Sequence, residues 1–189
     1  MDGGGQTAQP VGPTRSFTDR LIGAARLDRS VYEEVERDTT ANQQAILVVV
    51  AAVVASVIGA IFTDVGTVIA SALVALVGFA VSVAFIYFVG TRLIPSDRVE
   101  ADFGQVLRTL GFAYAPQLLL VLAFIPVVGI LVTLVVGIWS IITRVVAIQS
   151  ALEASVGRAI AIAIVAAILA GIVQAILFAI FGVDVNTGN

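Results

Sequence analysis

The chain has 189 residues, of which 59% are hydrophobic and 12% charged, and its formal net charge is −3. That charged share is about half of what a soluble domain carries, and a mean hydropathy of +1.07 exceeds what a water-soluble core of this size requires, so lipid is the solvent for much of the chain. Absence of Cys and His excludes disulfides, thiol nucleophiles, His-ligated metals and His proton relays together, and the charge balance gives no case for nucleic acid as a partner.

Residues 1–13 are Gly-rich without an apolar run and are expected to be a disordered tail, neither a signal peptide nor, with Asp2 after Met1, a myristoylation site. Residues 14–44 read as a polar cytoplasmic leader with short helices. Phe17, Leu21, Ile22 and Ala25 fall at helical spacing, flanked by Arg15, Arg20 and Arg26. Such a helix either lies on the inner leaflet, its arginines near anionic headgroups, or packs on the inner loops of the protein itself. Ser30 stands three residues before Glu33, a capping-box pattern that predicts a second helix from Val31 through Arg37. Glu33, Glu34 and Glu36 then sit in its first two turns, where the helix dipole favours anions, which is helix chemistry rather than a metal site.

Residues 45–182 read as five apolar spans, at about 45–62, 67–91, 106–125, 127–149 and 159–181, followed by a tail over 183–189. Each span has roughly the length needed to cross ~30 Å of hydrocarbon at ~1.5 Å per residue. Helices are required because open strands leave their backbone unsatisfied in lipid. The fold class is therefore all-α: a polytopic membrane protein, a five-transmembrane-helix bundle with a short helical leader. All the basic residues are Arg, a usage that reads as codon bias in a GC-rich genome ahead of salt adaptation, to which the pI of about 4.8 lends weak support. They fall before span one, between spans two and three, and around the link between spans four and five, where Arg158 lies. The turns at Asp64 and Pro126 have none. The positive-inside rule thus predicts a multi-pass protein of the cell membrane with its N-terminus in the cytoplasm and its C-terminus outside.

Residues Leu107 to Leu152 hold nearly everything in the apolar half that is not plain Ala, Val, Ile or Leu. Pro116 removes one helix hydrogen bond and predicts a kink in span three. Phe124-Ile125-Pro126-Val127-Val128-Gly129 is the tight turn of a hairpin. Trp139 lies about 20 Å from that turn by helix rise, too deep for an aromatic belt, and reads as helix packing. Arg144 lies about 27 Å along the helix, near the inner boundary, where it can snorkel. Gln117 and Gln174 sit near mid-span, where an amide more often bonds a neighbouring helix than lines a pore. Arg108 and Arg144 should both reach the inner surface, where Glu33, Glu34 and Glu153 are the acids available, so at least one ion pair between these sets is expected, with the leader docked on the hairpin.

Span five has a small residue at every fourth position from Ala159 to Ala179, through Gly171, and span one has Ala51, Ala55, Gly59 and Ala52, Ser56, Ala60. Such stripes let helix backbones approach closely. They predict that spans one and five are neighbours, speak for a compact bundle or a homo-oligomer, and predict that Gly171→Leu weakens packing by about a kcal/mol or more. No Asp or Glu lies deep within a span, and no Ser or Thr has a plausible base, so no catalytic set is visible and no cofactor is expected.

Leu107-Arg108-Thr109-Leu110-Gly111-Phe112-Ala113-Tyr114-Ala115-Pro116, the Ile125-Pro126-x-x-Gly129 turn, Ile138-Trp139 and Arg144-Val145-Val146-Ala147-Ile148-Gln149-x-Ala151-Leu152 resemble the prokaryotic branch of the Yip (Ypt-interacting protein) family. The resemblance covers roughly Tyr32 to Phe181. It implies five spans with a cytoplasmic N-terminus, as the arginine placement does independently. Gly111 to Pro116 is similar in spacing to the Gly-Tyr-x-x-x-Pro of eukaryotic members, with Phe112 in place of Tyr, while their Asp-Leu-Tyr-Gly-Pro hallmark is missing. Eukaryotic members bind small GTPases in vesicle traffic; for the prokaryotic branch the resemblance implies no activity. The function expected is that of a non-enzymatic membrane protein, a scaffold, lipid-organising element or adaptor for a cytoplasmic partner. The alternative is a small transporter or channel, with Tyr114, Gln117, Thr133 and Arg144 along a polar path.

Overall fold

A computed structural model describes residues 15–62, 65–95 and 101–181. The expected tails at 1–13 and 183–189 and the centre of the Asp64 turn lie outside these residues. The leader forms α1 (Phe17–Ala25) and α2 (Arg29–Arg37), and a short 3₁₀ turn at Thr39–Ala41 leads into α3 (Asn42–Gly59). Then come α4 (Val65–Phe88), continued by a π-helical turn over Val89–Leu93, α5 (Phe103–Phe112), a 3₁₀ helix over Ala115–Leu122, α6 (Val128–Ala151) and α7 (Val156–Phe181). Among the described residues there is no strand, and five helical stretches are long and apolar enough to cross a membrane.

Local chemistry sets several boundaries. Asp28, rather than Ser30, caps α2: its carboxylate accepts from the Ser30 amide at 2.9 Å and from the Ser30 hydroxyl at 2.7 Å. The carboxylate is the stronger acceptor, and Ser30 is thereby drawn into the helix as a donor. A capping box does occur, at α5: the Asp102 carboxylate accepts from the Gln105 amide, and the Gln105 side chain accepts from the Asp102 amide. Span three therefore starts at Phe103.

Pro116 ends the α-helical half of span three. Its ring has no N–H and clashes with the preceding turn, and the chain responds by tightening into the 3₁₀ helix rather than by a simple bend. In that switch the Gln117 amide donates to the Tyr114 carbonyl at 2.9 Å, which leaves the Ala113 carbonyl without its α-helical donor. Thr143 of α6 supplies one, its hydroxyl 2.9 Å from that oxygen. The hairpin turn is tighter still. Val127 has φ 65° and ψ −51°, and the Val128 amide donates to the Pro126 carbonyl at 2.7 Å, a γ-turn. Gly129 is required beside it, because a Cβ there would lie 2.0 Å from the Ala123 carbonyl oxygen.

Span three is the central element. The α3 helix runs alongside it in the same direction: a Cβ at Gly111 would lie 2.7 Å from the Ala45 Cβ, and one at Gly59 would lie 2.1 Å from the Leu120 carbonyl oxygen. The small residues of span one thus pack on span three, and α7 packs instead on α4 and α6. The span-five stripe turns away from the core. Ala159 is fully buried, Ala163 is half-buried, and Ala167, Gly171 and Ala175 are exposed. At ~100° per residue a pattern of every fourth residue advances ~40° per step, so it winds off any one face of a straight helix. A Cβ at Gly171 would meet nothing within 4 Å.

Candidate functional site

Two groups of polar residues lie on the bundle, one at its leader end and one on the side of the hairpin. At the leader end Arg108, 3% exposed, carries the connection. Its Nε donates to the Val35 carbonyl at 2.9 Å, its Nη1 to Asn42 Oδ1 at 3.1 Å, and its Nη2 to the Glu36 carbonyl. These carbonyls belong to the last turn of α2, where helix oxygens lack intrahelical donors and the dipole favours a cation. Among the described residues no ion pair joins Arg108 or Arg144 to Glu33, Glu34 or Glu153. The leader docks on the hairpin as expected, but through helix carbonyls and the Glu36 carboxylate, which accepts from Ser150 and Gln105, rather than through an ion pair to Arg108 or Arg144.

The acids have other partners. Glu34 pairs with Arg15 at 2.6 Å and Arg20 at 2.9 Å, and Arg20 also pairs with Asp38 at 2.6 Å. Arg20 is 2% exposed and donates further to Gln44 at 2.9 Å, so it ties α1 to α2 and to the start of α3. Burial pulls the Glu34 carboxyl up, but hydrogen bonds from Arg15 and Arg20 outweigh this and hold it below the usual carboxylate range. The Thr40 hydroxyl lowers Asp38, which burial opposes and Arg20 reinforces. Glu36 goes the other way. Burial pushes it up, although Ser150 donates to it at 3.1 Å. Glu33 stays on the exposed face, 3.7 Å from Arg37.

The α1 helix packs on the protein itself. Phe17 lies against Phe112 with ring centroids 6.4 Å apart, and Trp139 Nε1 donates to the Ala25 carbonyl at 2.8 Å. Trp139 therefore joins the hairpin to the C-terminal end of α1, and Leu27, with φ 64°, turns the chain into α2 immediately afterwards. Tyr32 is fully buried and donates from its hydroxyl to the Ala24 carbonyl at 3.1 Å.

The second group flanks Arg144. Its Nη2 donates to the Tyr114 hydroxyl at 3.3 Å, and its guanidinium carbon stands 5.2 Å from the Tyr114 ring centre. Tyr114 is itself held edge-on by Phe79, with centroids 5.2 Å apart. On one side of Arg144 lies a cavity of about 60 Å³, lined by Phe79, Ser82, Tyr114 and the Ala163–Ala167 turn of α7. On the other is a groove of about 300 Å³ between the 3₁₀ helix and α6, lined by Gln117, Leu120, Thr133, Val136, Gly137, Ser140, Ile141 and Arg144. Thr133, Gly137, Ser140 and Arg144 are spaced four, three and four residues apart, so they share one face of α6. Gln117 and Leu120 are eclipsed in the 3₁₀ helix, where the repeat is three residues. The Ser140 Oγ is buried without a hydrogen-bond partner among the described residues.

The remaining candidates lie apart from both groups. Pro126 and Gly129 form the far turn, Gly111 and Pro116 are buried in span three, and Gly171 faces outward. Glu153 is exposed in the link after α6, and Arg158 is half-buried in the first turn of α7. Sequence reasoning missed Arg20 as a buried hub, and no local pattern marks it, since its partners sit on other helices. It missed Ser140 because a serine in a helix carries no signal of whether its hydroxyl finds a partner. The capping box at Asp102 and Gln105 carries a spacing signal that could have been read directly.

No curated protein and no solved structure matches the chain significantly. The family model of the Yip1 domain matches residues 28–178, a stretch that begins at the α2 cap and includes all five candidate spans. The chain therefore belongs to the Yip1 domain family of membrane proteins.

Proposed function

We propose that this protein is a non-enzymatic membrane scaffold, whose bundle anchors a preassembled helical platform for a soluble partner at the cytoplasmic surface. The observation that carries the reading is Arg108, buried and committed to the last carbonyls of α2. A leader that served only as a tether would not need such a lock. Placement of the arginines supports a cytoplasmic leader, with the C-terminus outside. The outward face of α2, with Glu33 and Arg37 more than half exposed at their side chains, is the part of the platform left for a partner.

A photo-crosslinking residue at Glu33 or Arg37 tests this in cells. The expected result is a crosslink to one soluble protein that disappears with Arg108→Gln, which undocks the leader. Crosslinks to lipid alone, or a protein adduct indifferent to Arg108→Gln, would overturn it.

A second reading, a small transporter with a polar path past Gln117 and Arg144, takes support from the groove that reaches Gln117. Purified protein in liposomes that conducts ions or small polar solutes, and loses the flux with Gln117→Leu, would favour that reading over the platform.

A further inference from the structure

We propose that the groove between the 3₁₀ helix of span three and α6 is a binding site for one membrane phospholipid, with the lipid phosphate on Arg144 and an acyl chain along Gly137, Val136 and Leu120. The inference goes beyond the platform reading and is independent of it. Four observations on the groove point to this occupant.

The first is the unused capacity of Arg144. A guanidinium has five N–H donors, and among the described residues Arg144 makes one hydrogen bond, to a neutral phenol at 3.3 Å. It forms no ion pair there. A cation in a membrane span ordinarily has a counter-charge, and its planar fork suits a phosphate.

The second is Ser140. Ser140 is more than nine-tenths buried, its hydroxyl oxygen has no hydrogen-bond partner among the described residues, and the residue lines the groove one turn from Arg144. A buried hydroxyl left unsatisfied is costly, so it marks a position where a ligand oxygen belongs.

The third is depth. The Ala25 carbonyl and its polar leader reach the level of Trp139. Arg144 is five residues closer to the leader end of α6, about 7 Å further into the polar zone. From Arg144 the groove runs about 16 Å along α6 to Thr133, toward the hairpin turn and into the hydrocarbon. A site that is cationic at headgroup depth and mostly apolar above it, with Gln117 and Thr133 as polar exceptions, has the polarity profile of a phospholipid, and a free anion would use only the Arg144 end.

The fourth is access. Thr133, Gly137 and Ile141 are exposed on the groove wall, and the neighbouring Leu134, Ile138 and Ile142 are 60%, 56% and 45% exposed. The groove thus opens sideways onto the surface that lipid covers. A Cβ at Gly137 would meet nothing within 4 Å, so the chain leaves space where a side chain would otherwise fill the groove.

Native mass spectrometry of the delipidated full chain in mild detergent tests the assignment. The probes are dioleoyl phosphatidic acid, dioleoylglycerol with the same chains and no phosphate, and inorganic phosphate. Phosphatidic acid is expected to bind one to one, about tenfold or more tighter than dioleoylglycerol, as a charge-assisted contact predicts. Arg144→Gln should reduce phosphatidic acid to the level of dioleoylglycerol. Gly137→Leu should weaken both lipids while leaving the melting temperature unchanged, which keeps the test valid even if Arg144→Gln folds poorly. Ile168→Phe on the lipid face of α7 should change neither. Equal binding of both lipids to the wild type, unchanged lipid binding in Gly137→Leu, or displacement of phosphatidic acid by millimolar inorganic phosphate would each overturn the proposal, the last by reassigning the site to a small anion.

Discussion

Span five is the most apolar of the five candidate membrane stretches, and 17% of it is buried within the protein; span three is the least apolar, and 56% of it is buried. In water the order would be reversed, because burial there follows apolarity. Where lipid is the solvent there is no hydrophobic drive to bring two apolar helices together. What gathers a helix into the centre is close backbone approach and polar groups that need partners. Span three has both: Gly111 against Ala45, Arg108 under the carbonyls of α2, and a proline-freed carbonyl that Thr143 satisfies. Span five turns Ile164, Ile168 and Ile172, each more than half exposed, outward and keeps only one edge for its neighbours.

The contrast is sharpest at two glycines. Gly111→Leu drives a side chain into the Ala45 backbone, and we expect it to destabilise the bundle by about 3 kcal/mol or more. Gly171→Leu enters open space, and the melting temperature of the monomer in detergent should stay within the equivalent of about 0.5 kcal/mol. Equal melting losses would break the comparison. A Gly171→Leu variant that melts normally but changes oligomeric state would extend it, by assigning the outer stripe to a second copy.

Arg108→Gln should cost about 2–3 kcal/mol, since it strands buried carbonyls at the end of α2. The effect should appear as faster proteolysis within residues 15–38 while the spans stay protected. Loss of the spans as well would mean that the leader is part of the same cooperative unit as span three.

Acid should release the leader in a definite direction. Glu34 and Asp38 are held below their ordinary range. Their stabilisation is therefore complete above the unfolded carboxylate values and is lost as pH falls through the lowered ones, below about pH 4. Glu36 is raised, so it opposes docking near neutrality and that opposition eases as pH falls. Hydrogen exchange in α1 and α2, taken relative to the intrinsic amide rate at each pH, should stay flat or slow slightly on mild acidification, then accelerate below about pH 4. Glu36→Gln should remove the slight slowing and keep the acid release.

A smaller loss than at Arg108 is expected for Trp139→Phe, about 1 kcal/mol for one hydrogen bond. Trp139 is the single tryptophan of the chain, so its emission in the wild type should shift when Arg108→Gln releases α1. An emission unchanged by that release would separate the Trp139 contact from the Arg108 lock.

Spans, hairpin and Pro116 were legible because each depends on a run of residues or on a single backbone property. The neighbours of each span were not. Span one and span five carry similar stripes, and composition cannot say that the stripe of span one meets Gly111 while that of span five winds outward. The candidate site divides in the same way. Arg144, Tyr114, Gln117 and Thr133 stand out as polar residues in apolar spans, and the structure places all four within the Arg144 region, three of them on the groove. Ser140 does not stand out, since a serine inside a helix can bond its own preceding turn. Only the structure shows that this one has no partner among the described residues. The ion pair expected between Arg108 or Arg144 and Glu33, Glu34 or Glu153 does not form among the described residues, because Arg108 takes the carbonyls at the end of α2, acceptors that side-chain charges do not reveal.

The 3₁₀ stretch has a consequence for the reach of span three. A 3₁₀ helix rises ~2.0 Å per residue and an α-helix ~1.5 Å. Over the eight residues Ala115–Leu122 the difference is about 4 Å, gained without adding a residue. Span three, Phe103–Leu122, is 20 residues long, the shortest of the candidate spans. Its stretched half lets it match a thicker hydrocarbon layer than an α-helix of the same length would. Proline at 116 thus sets a membrane thickness as well as a helix break.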